Sequence, residues 1–331
     1  MKKLCLVRSV LTDETIHKLC NIMQNDFEMI IRCDDSYKDS GLLHPFTNEQ
    51  LEKADVIIGN PSMDTLKKCK KLSWIQLASS GADAYAHSGI LNADNTIITN
   101  ATGAYGHAIA EYMVACVFSM TKKLHLYRDN QAECLWKDMG FVKTIRGSKV
   151  LVVGLGDIGS EFAKKMHAVG AEIYGIKRTI TDKPDYVKEL YNLDSLNELL
   201  PEMDIVALCL PNSKQTQNVI SYKELDKMKK DSILINVGRG NAVDTDALTE
   251  SLEKNIIGGA ILDVTNPEPL PAYHPLWKMK NAVITPHISG GYHAQETIDG
   301  IESIILKNAQ RYVNGDPLIN KVDYETGYRK K

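Results

Sequence analysis

A run of branched apolar residues, Lys149-Val-Leu-Val-Val153, ends directly in Gly154-Leu-Gly-Asp-Ile-Gly159. No other stretch restricts the fold as tightly. The run reads as a buried parallel strand, and the glycines turn the chain from it into an amphipathic helix over 160–169. Gly154 permits the tight turn, Gly156 lets the backbone approach a pyrophosphate, and Gly159 lets helix and strand pack closely. The helix start offers N–H groups and the positive end of a dipole to phosphates. A bare glycine-rich turn is the competing reading. Placement between a strand and an amphipathic helix favours a dinucleotide site.

The chain has 331 residues, enough for about two domains of ordinary size. Its net charge of -3, from 39 basic and 42 acidic side chains, gives no footprint for nucleic acid or a membrane surface. The longest apolar stretch, 112–120, is far short of a membrane span. Arg8 interrupts the only apolar region near Met1-Lys2-Lys3, so a cytoplasmic chain is expected. The seven cysteines, at 5, 20, 33, 69, 116, 134 and 209, form no CxxC pair. Several lie among apolar residues, which fits reduced thiols. No His/Cys cluster has zinc spacing, so no metal is expected.

Before the glycine turn, strand-like stretches at 3–7, 28–32, 55–59, 72–77 and 96–99 alternate with helical ones at 12–24, 48–53 and 63–69. This rhythm indicates a small parallel sheet with helices on both faces. A long helix is expected over 104–126. After it, six strands at 149–153, 172–176, 204–209, 232–237, 258–263 and 282–285 would fill a doubly wound dinucleotide sheet. A last helix is expected over 295–313. Two lobes with a cleft between them are the expected architecture, and clefts of that kind are where ligands bind.

Three segments follow predicted strands, at the carboxyl edge where ligands bind in such sheets. In Asn236-Val-Gly-Arg-Gly240, the forked guanidinium of Arg239 suits a planar carboxylate. In Asp263-Val-Thr-Asn-Pro-Glu-Pro-Leu-Pro271, two prolines restrict Glu268, and a carboxylate so held can orient a base. In Thr285-Pro-His-Ile-Ser-Gly-Gly291, His287 is a proton donor and acceptor suited to neutral pH. Each has a bland alternative: a surface arginine, a solvated loop charge, a satisfied histidine. Beside a nicotinamide, the three together suit hydride exchange with a 2-oxo or 2-hydroxy acid.

With these motifs in order, the chain resembles the D-isomer-specific 2-hydroxyacid dehydrogenases, the family of glyoxylate/hydroxypyruvate reductase, D-lactate dehydrogenase and phosphoglycerate dehydrogenase. The resemblance covers essentially the whole chain and rests on Gly154–Gly159, Asn236–Gly240, Leu262-Asp-Val with Pro-Glu-Pro-Leu-Pro271, and Thr285–Gly290. It implies an α/β fold of two Rossmann-like lobes: a doubly wound parallel-sheet dinucleotide domain and a smaller flavodoxin-like substrate domain. Residues 1–103 and 288–331 would form the substrate domain, and 104–287 the NAD(P)-binding domain. A dimerisation arm near 104–146 would make the protein a homodimer. By the same resemblance, Arg239 would bind the substrate carboxylate and carbonyl, Glu268 would hydrogen-bond His287 and favour its charged form, and His287 would transfer the proton. Ser80 and Gly81, in Ala78-Ser79-Ser80-Gly81-Ala82, would offer N–H groups to the carboxylate. Gly154, Gly156, Asp157, Ile158, Gly159, Leu210, Pro211, Thr216, Val237, Asp263, His287 and Gly290 would contact the dinucleotide, with Asp263 on the nicotinamide carboxamide. Tyr85, His107, Trp277, Tyr292 and His293 are candidates for the substrate wall.

An NAD site usually carries an acidic residue about 20 positions after the glycine turn. Here the second strand is followed by Lys177-Arg178-Thr179, with no acid. These residues would attract a 2′-phosphate, so NADP is expected in preference to NAD. The rival functional class is a non-catalytic, dinucleotide-sensing, corepressor-like protein on the same fold, against which the intact Arg239, Glu268 and His287 argue.

Overall fold

The computed structural model describes residues 2–32, 46–180 and 183–329. Cys33 lies outside them. The chain divides into two compact units, Met1–Tyr105 with Tyr292–Lys331, and Gly106–Gly291.

The first unit holds five parallel strands: β1 (Lys3–Arg8), β2 (Phe27–Ile31), β3 (Ala54–Gly59), β4 (Trp74–Gln76) and β5 (Ile97–Thr99). Their order is β2-β1-β3-β4-β5, the doubly wound order of flavodoxin-like sheets. Thr12, Thr47 and Ser62 each cap a following helix through the side-chain oxygen, satisfying N–H groups that the helix leaves unpaired. Gly59 has φ +129°, and a Cβ there would lie 1.8 Å from the Arg8 carbonyl oxygen, so only glycine allows β1 and β3 to end side by side.

The last helix, Gln295–Asn314, belongs to this unit. A buried polar chain holds it there. Asn308 donates from Nδ2 to Gln76 Oε1 at 2.7 Å, Gln76 Oε1 accepts from the Thr99 hydroxyl at 2.8 Å, and Thr99 Oγ1 accepts from Trp74 Nε1 at 2.9 Å. Asn308 also takes the Ile319 N–H and donates to its carbonyl. All four side chains are fully buried, so each bond replaces one that water would otherwise make.

The second unit has seven parallel strands: β6 (Lys149–Val153), β7 (Glu172–Ile176), β8 (Glu189–Tyr191), β9 (Ile205–Leu208), β10 (Ile233–Asn236), β11 (Gly259–Leu262) and β12 (Ala282–Ile284). The order is β12-β11-β10-β9-β6-β7-β8. Chain direction across the sheet therefore reverses between β6 and β9, the point where such sheets bind nucleotides. Every residue of β9, β10 and β11 is buried, as expected for strands covered on both faces.

Strand β8 and the helix before the glycine turn depart from the sequence expectation. Strand β8 was not anticipated. Its three residues are too few to show a period, and it forms only by pairing with β7 at the sheet edge. The expected helix over 104–126 is two helices, Gly106–Thr121 and Leu124–Ala132. Lys123 between them is left-handed, with φ 57°. The Lys122 ammonium donates to the Lys143 carbonyl and the Lys123 ammonium to that of Met139, which fixes the break. Lysine is no turn residue, so the local sequence does not announce it.

Among the described residues, no helix is long and apolar enough to cross a membrane. The six described cysteines are all free thiols, and burial pushes that of Cys209 up to about 12.

Candidate active site

The carboxyl ends of the parallel strands in the second unit share one sheet edge. Gly154 follows β6, Leu210 and Pro211 follow β9, Val237 to Arg239 follow β10, Asp263 follows β11, and Thr285 to His287 follow β12.

The glycine turn fits a dinucleotide, and its three glycines do different work. Gly154 has φ +102°, and a Cβ there would sit 2.6 Å from the Cys209 carbonyl oxygen. At Gly159 a Cβ would lie 2.1 Å from the Gly154 carbonyl oxygen. Both positions are closed by the protein's own backbone. A Cβ at Gly156 would meet nothing within 4 Å, at an exposed position. No protein atom crowds it, which leaves that face open to a phosphate against the backbone. Gly156 also precedes the helix Asp157–Ala168 without any side-chain cap, so the helix start, with Asp157 and Ile158 in its first turn, is left to bind an anion.

Lys177, half-buried, and the exposed Arg178 and Thr179 follow β7, with the Lys177 N–H bonded to the Tyr191 carbonyl of β8. The unanticipated strand thus fixes the backbone from which this basic turn departs. Thr216 is buried, and its hydroxyl donates to the Pro211 carbonyl and accepts the Ser213 N–H at 2.9 Å. That side chain shapes the turn after Pro211. Val237 is buried beneath the edge, and Gly290 is half-buried after the histidine loop.

Arg239 is held through its main chain. Asn236, fully buried at the end of β10, accepts the Gly238 N–H on Oδ1 and donates from Nδ2 to the Arg239 carbonyl at 2.9 Å. The flanking glycines do more than leave room for the side chain. A Cβ at Gly238 would lie 2.2 Å from the Leu210 carbonyl oxygen, and one at Gly240 would lie 1.9 Å from that of Thr265. Neighbouring loops press on both, and the half-buried arginine is fixed between them.

His287 Nδ1 lies 2.6 Å from Glu268 Oε1. Both side chains are roughly half exposed, 51% and 42%. A carboxylate only accepts, so Nδ1 carries the proton of this contact and Nε2 is the nitrogen left for exchange. The histidine backbone is left-handed, φ 54°, a region where non-glycine residues need outside support.

That support comes from Asp263, which is 2% exposed. Its Oδ1 accepts the Thr285 hydroxyl at 2.6 Å and the Ile288 N–H at 2.9 Å. Its Oδ2 accepts the Ser289 N–H at 3.1 Å and the Ser289 hydroxyl. The Asp263 carbonyl takes the His287 N–H at 2.9 Å. A carboxylate offers about four acceptor positions, and the protein fills them. The nicotinamide carboxamide assigned to Asp263 from sequence would have to compete with Ser289 for an oxygen.

In the first unit, Ser80 and Gly81 lie between β4 and the short helix Asp83–Ala86. Asn60 Oδ1 accepts the Ala78 and Ser79 N–H groups, at 2.9 and 3.4 Å, and Asn100 Nδ2 donates to the Ser80 carbonyl at 2.6 Å. No acceptor among the described residues takes the N–H of Ser80 or Gly81. The loop is braced with two donors left over. The sequence marks neither Asn60 nor Asn100, and it gives Asn236 no role beyond its place in the motif 236–240. An asparagine after a strand reads there as an ordinary turn residue.

Of the wall candidates, Tyr85 donates to the Pro61 carbonyl and Trp277 to that of Pro271, while His107 Nδ1 lies 3.5 Å from Glu161 on the glycine-turn helix. The Tyr85 hydroxyl and the Trp277 N–H are thus engaged locally. Tyr292 and His293 open the C-terminal part of the first unit. Among the described residues, no cluster of three or more His, Cys, Asp or Glu could hold a metal ion.

Comparison with known proteins gives a consistent result. A sequence model of the family described as "D-isomer specific 2-hydroxyacid dehydrogenase, NAD binding domain" matches residues 114–289. Glyoxylate/hydroxypyruvate reductase B of Enterobacter sp. strain 638 is 31% identical over 272 residues, 80% of this chain and 82% of that protein. Glyoxylate reductase of Thermococcus kodakarensis is 33% identical over 241 residues, 68% of this chain and 69% of that one. Among solved structures, a D-isomer specific 2-hydroxyacid dehydrogenase family protein from Aeromonas salmonicida superposes with a TM-score of 0.81 at 27% identity, covering 98% of this chain and all of that one.

The glycine geometry yields a test. Gly156→Ala should fold with stability within about 1 kcal/mol of the parent, yet bind dinucleotide at least about tenfold more weakly. Gly159→Ala should lose stability outright. Equal dinucleotide affinity in Gly156→Ala, by fluorescence titration, would contradict the assignment.

Proposed function

Because this chain belongs to the D-isomer specific 2-hydroxyacid dehydrogenase family, we propose that it reduces a short 2-oxo acid to the D-2-hydroxy acid, with Arg239, Glu268 and His287 acting at the reacting carbonyl. It is a nicotinamide-dependent hydride-transfer oxidoreductase of α/β fold. The observation that carries the residue assignment is the 2.6 Å contact between His287 Nδ1 and Glu268.

The reduced nicotinamide, when bound at the glycine turn, supplies the hydride. This chain's residues do the rest. Glu268 accepts from Nδ1 and fixes the ring, which leaves Nε2 to give a proton to the carbonyl oxygen and to take it back in the reverse direction. The Arg239 guanidinium pairs with the substrate carboxylate and stabilises charge at the carbonyl. Ser80 and Gly81 are proposed as N–H donors to a substrate carboxylate, on the strength of their braced loop. Relatives named glyoxylate and hydroxypyruvate reductases support a small substrate. The non-catalytic, dinucleotide-sensing reading is not favoured, since those relatives are named as enzymes and the His287–Glu268 pair is assembled.

A panel of 2-oxo acids followed at the nicotinamide absorbance tests the proposal. One or more short acids should be turned over, and His287→Ala should lower kcat by about 10²–10⁴-fold with dinucleotide affinity nearly unchanged. Near-parental turnover in that variant would assign the proton to another group.

For the cofactor, we propose NADP in preference to NAD. Lys177, Arg178 and Thr179 present two cations and a hydroxyl after β7, with no carboxylate in that turn. Arg178→Ala should reduce kcat/KM with NADPH by roughly tenfold or more, the worth of a charge-assisted hydrogen bond, and leave NADH unaffected. A parental preference for NADH would refute this.

We also propose a homodimer through the arm near 104–146. Trp136 and Phe141 are fully exposed, and Leu124 and Leu135 are each 55% exposed. Large apolar side chains left exposed in one segment support an interface there. Sedimentation should show a dimer that Trp136→Glu with Phe141→Glu turns into a monomer, and a monomeric parent would overturn the proposal.

A further inference from the structure

Tyr112, on the helix Gly106–Thr121, plays no part in the reading so far. Its phenol oxygen lies 2.6 Å from Thr285 Oγ1, 173 residues away in sequence. Thr285 Oγ1 in turn lies 2.6 Å from Asp263 Oδ1. The direction of this chain is fixed by chemistry. Asp263 can only accept, so the Thr285 hydroxyl donates to it, and the Thr285 oxygen is left to accept from Tyr112. Burial pushes the Tyr112 phenol well above its ordinary pKa, so it stays a donor at working pH. Hydrogen bonds in such a chain polarise and strengthen one another.

What hangs from the end of the relay is the histidine loop. The same Asp263 carboxylate binds Ile288 and Ser289, and its carbonyl binds the His287 N–H. Residues on both sides of the left-handed His287 are thus tied to one side chain. Tyr112 ties that side chain, through Thr285, to a helix that packs along the glycine-turn helix Asp157–Ala168. Lys165 with Glu111, at 3.2 Å, joins the two helices near the same turn.

We infer that Tyr112 is a positioning residue for His287, acting through Thr285 and Asp263. The inference rests on the catalytic reading above. A phenol that merely fills space is the competing role, and Tyr112→Phe separates the two because it keeps the ring. With relay control, Tyr112→Phe lowers kcat about fivefold or more, the effect of one unmade buried hydrogen bond, while KM for the oxo acid and dinucleotide affinity change less than about twofold. Thr285→Val gives a similar loss, Thr285→Ser restores the rate, and the double variant Tyr112→Phe/Thr285→Val is no slower than the worse single, as expected for one shared device.

A second readout needs no turnover. In the free protein, the downfield Nδ1–H proton resonance of the His287–Glu268 pair should weaken or move upfield in Tyr112→Phe. If the parent turns over no oxo acid but this resonance still responds, positioning stands and the catalytic reading falls. If Tyr112→Phe keeps both kcat and the resonance and loses only thermal stability, the inference is overturned.

Discussion

One buried carboxylate, that of Asp263, organises the chemistry at this sheet edge. Taking an ionised carboxylate out of water costs several kcal/mol even after relaxation. The cost is offset because its acceptor positions are filled by Thr285, Ile288 and Ser289. In exchange the segment after β12 has a single geometry. A left-handed residue costs roughly 1–3 kcal/mol unless its surroundings impose it, and here donors on both sides of His287 converge on the same anion. The result is an imidazole whose Nδ1 meets Glu268.

The parallel sheet makes that convergence possible. Asp263 ends β11 and Thr285 ends β12, its neighbour, so residues 22 apart in sequence meet at one edge. Asn236 ends β10 beside them and fixes the Arg239 backbone. Gly238 and Gly240 let neighbouring loops close on that arginine. Beyond β9 the direction of the sheet reverses, and the glycine turn opens its helix there. Each functional group is thus placed by a strand end, and strand ends are held by the most buried part of the unit.

The sequence was most readable where chemistry demands a particular residue type. Gly154 and Gly159 are required by backbone contacts of 2.6 and 2.1 Å, and Gly156 by what must approach it. Buried strands such as Ile233–Asn236 announce themselves as apolar runs. Elements created by context were not readable. Strand β8 exists because β7 is there to pair with it, and the helix break at Lys123 exists because two ammonium groups reach carbonyls 16 and 21 residues on. The glycines around Arg239 admit neighbouring backbone from Leu210 and Thr265, which local sequence does not reveal. The hold of Asp263 on the histidine loop is not legible, because its partners Thr285 and Ser289 lie more than 20 residues away and nothing local marks them. Tyr112 was invisible for the same reason.

The central claim is that the Asp263 carboxylate holds His287 against Glu268. The crystal structure of Asp263→Asn tests it most directly, since the substitution keeps shape but replaces one acceptor oxygen with a donor. The account predicts that residues 285–289 leave their present path and that the 2.6 Å contact between His287 and Glu268 opens. An unchanged loop with that contact intact would contradict it.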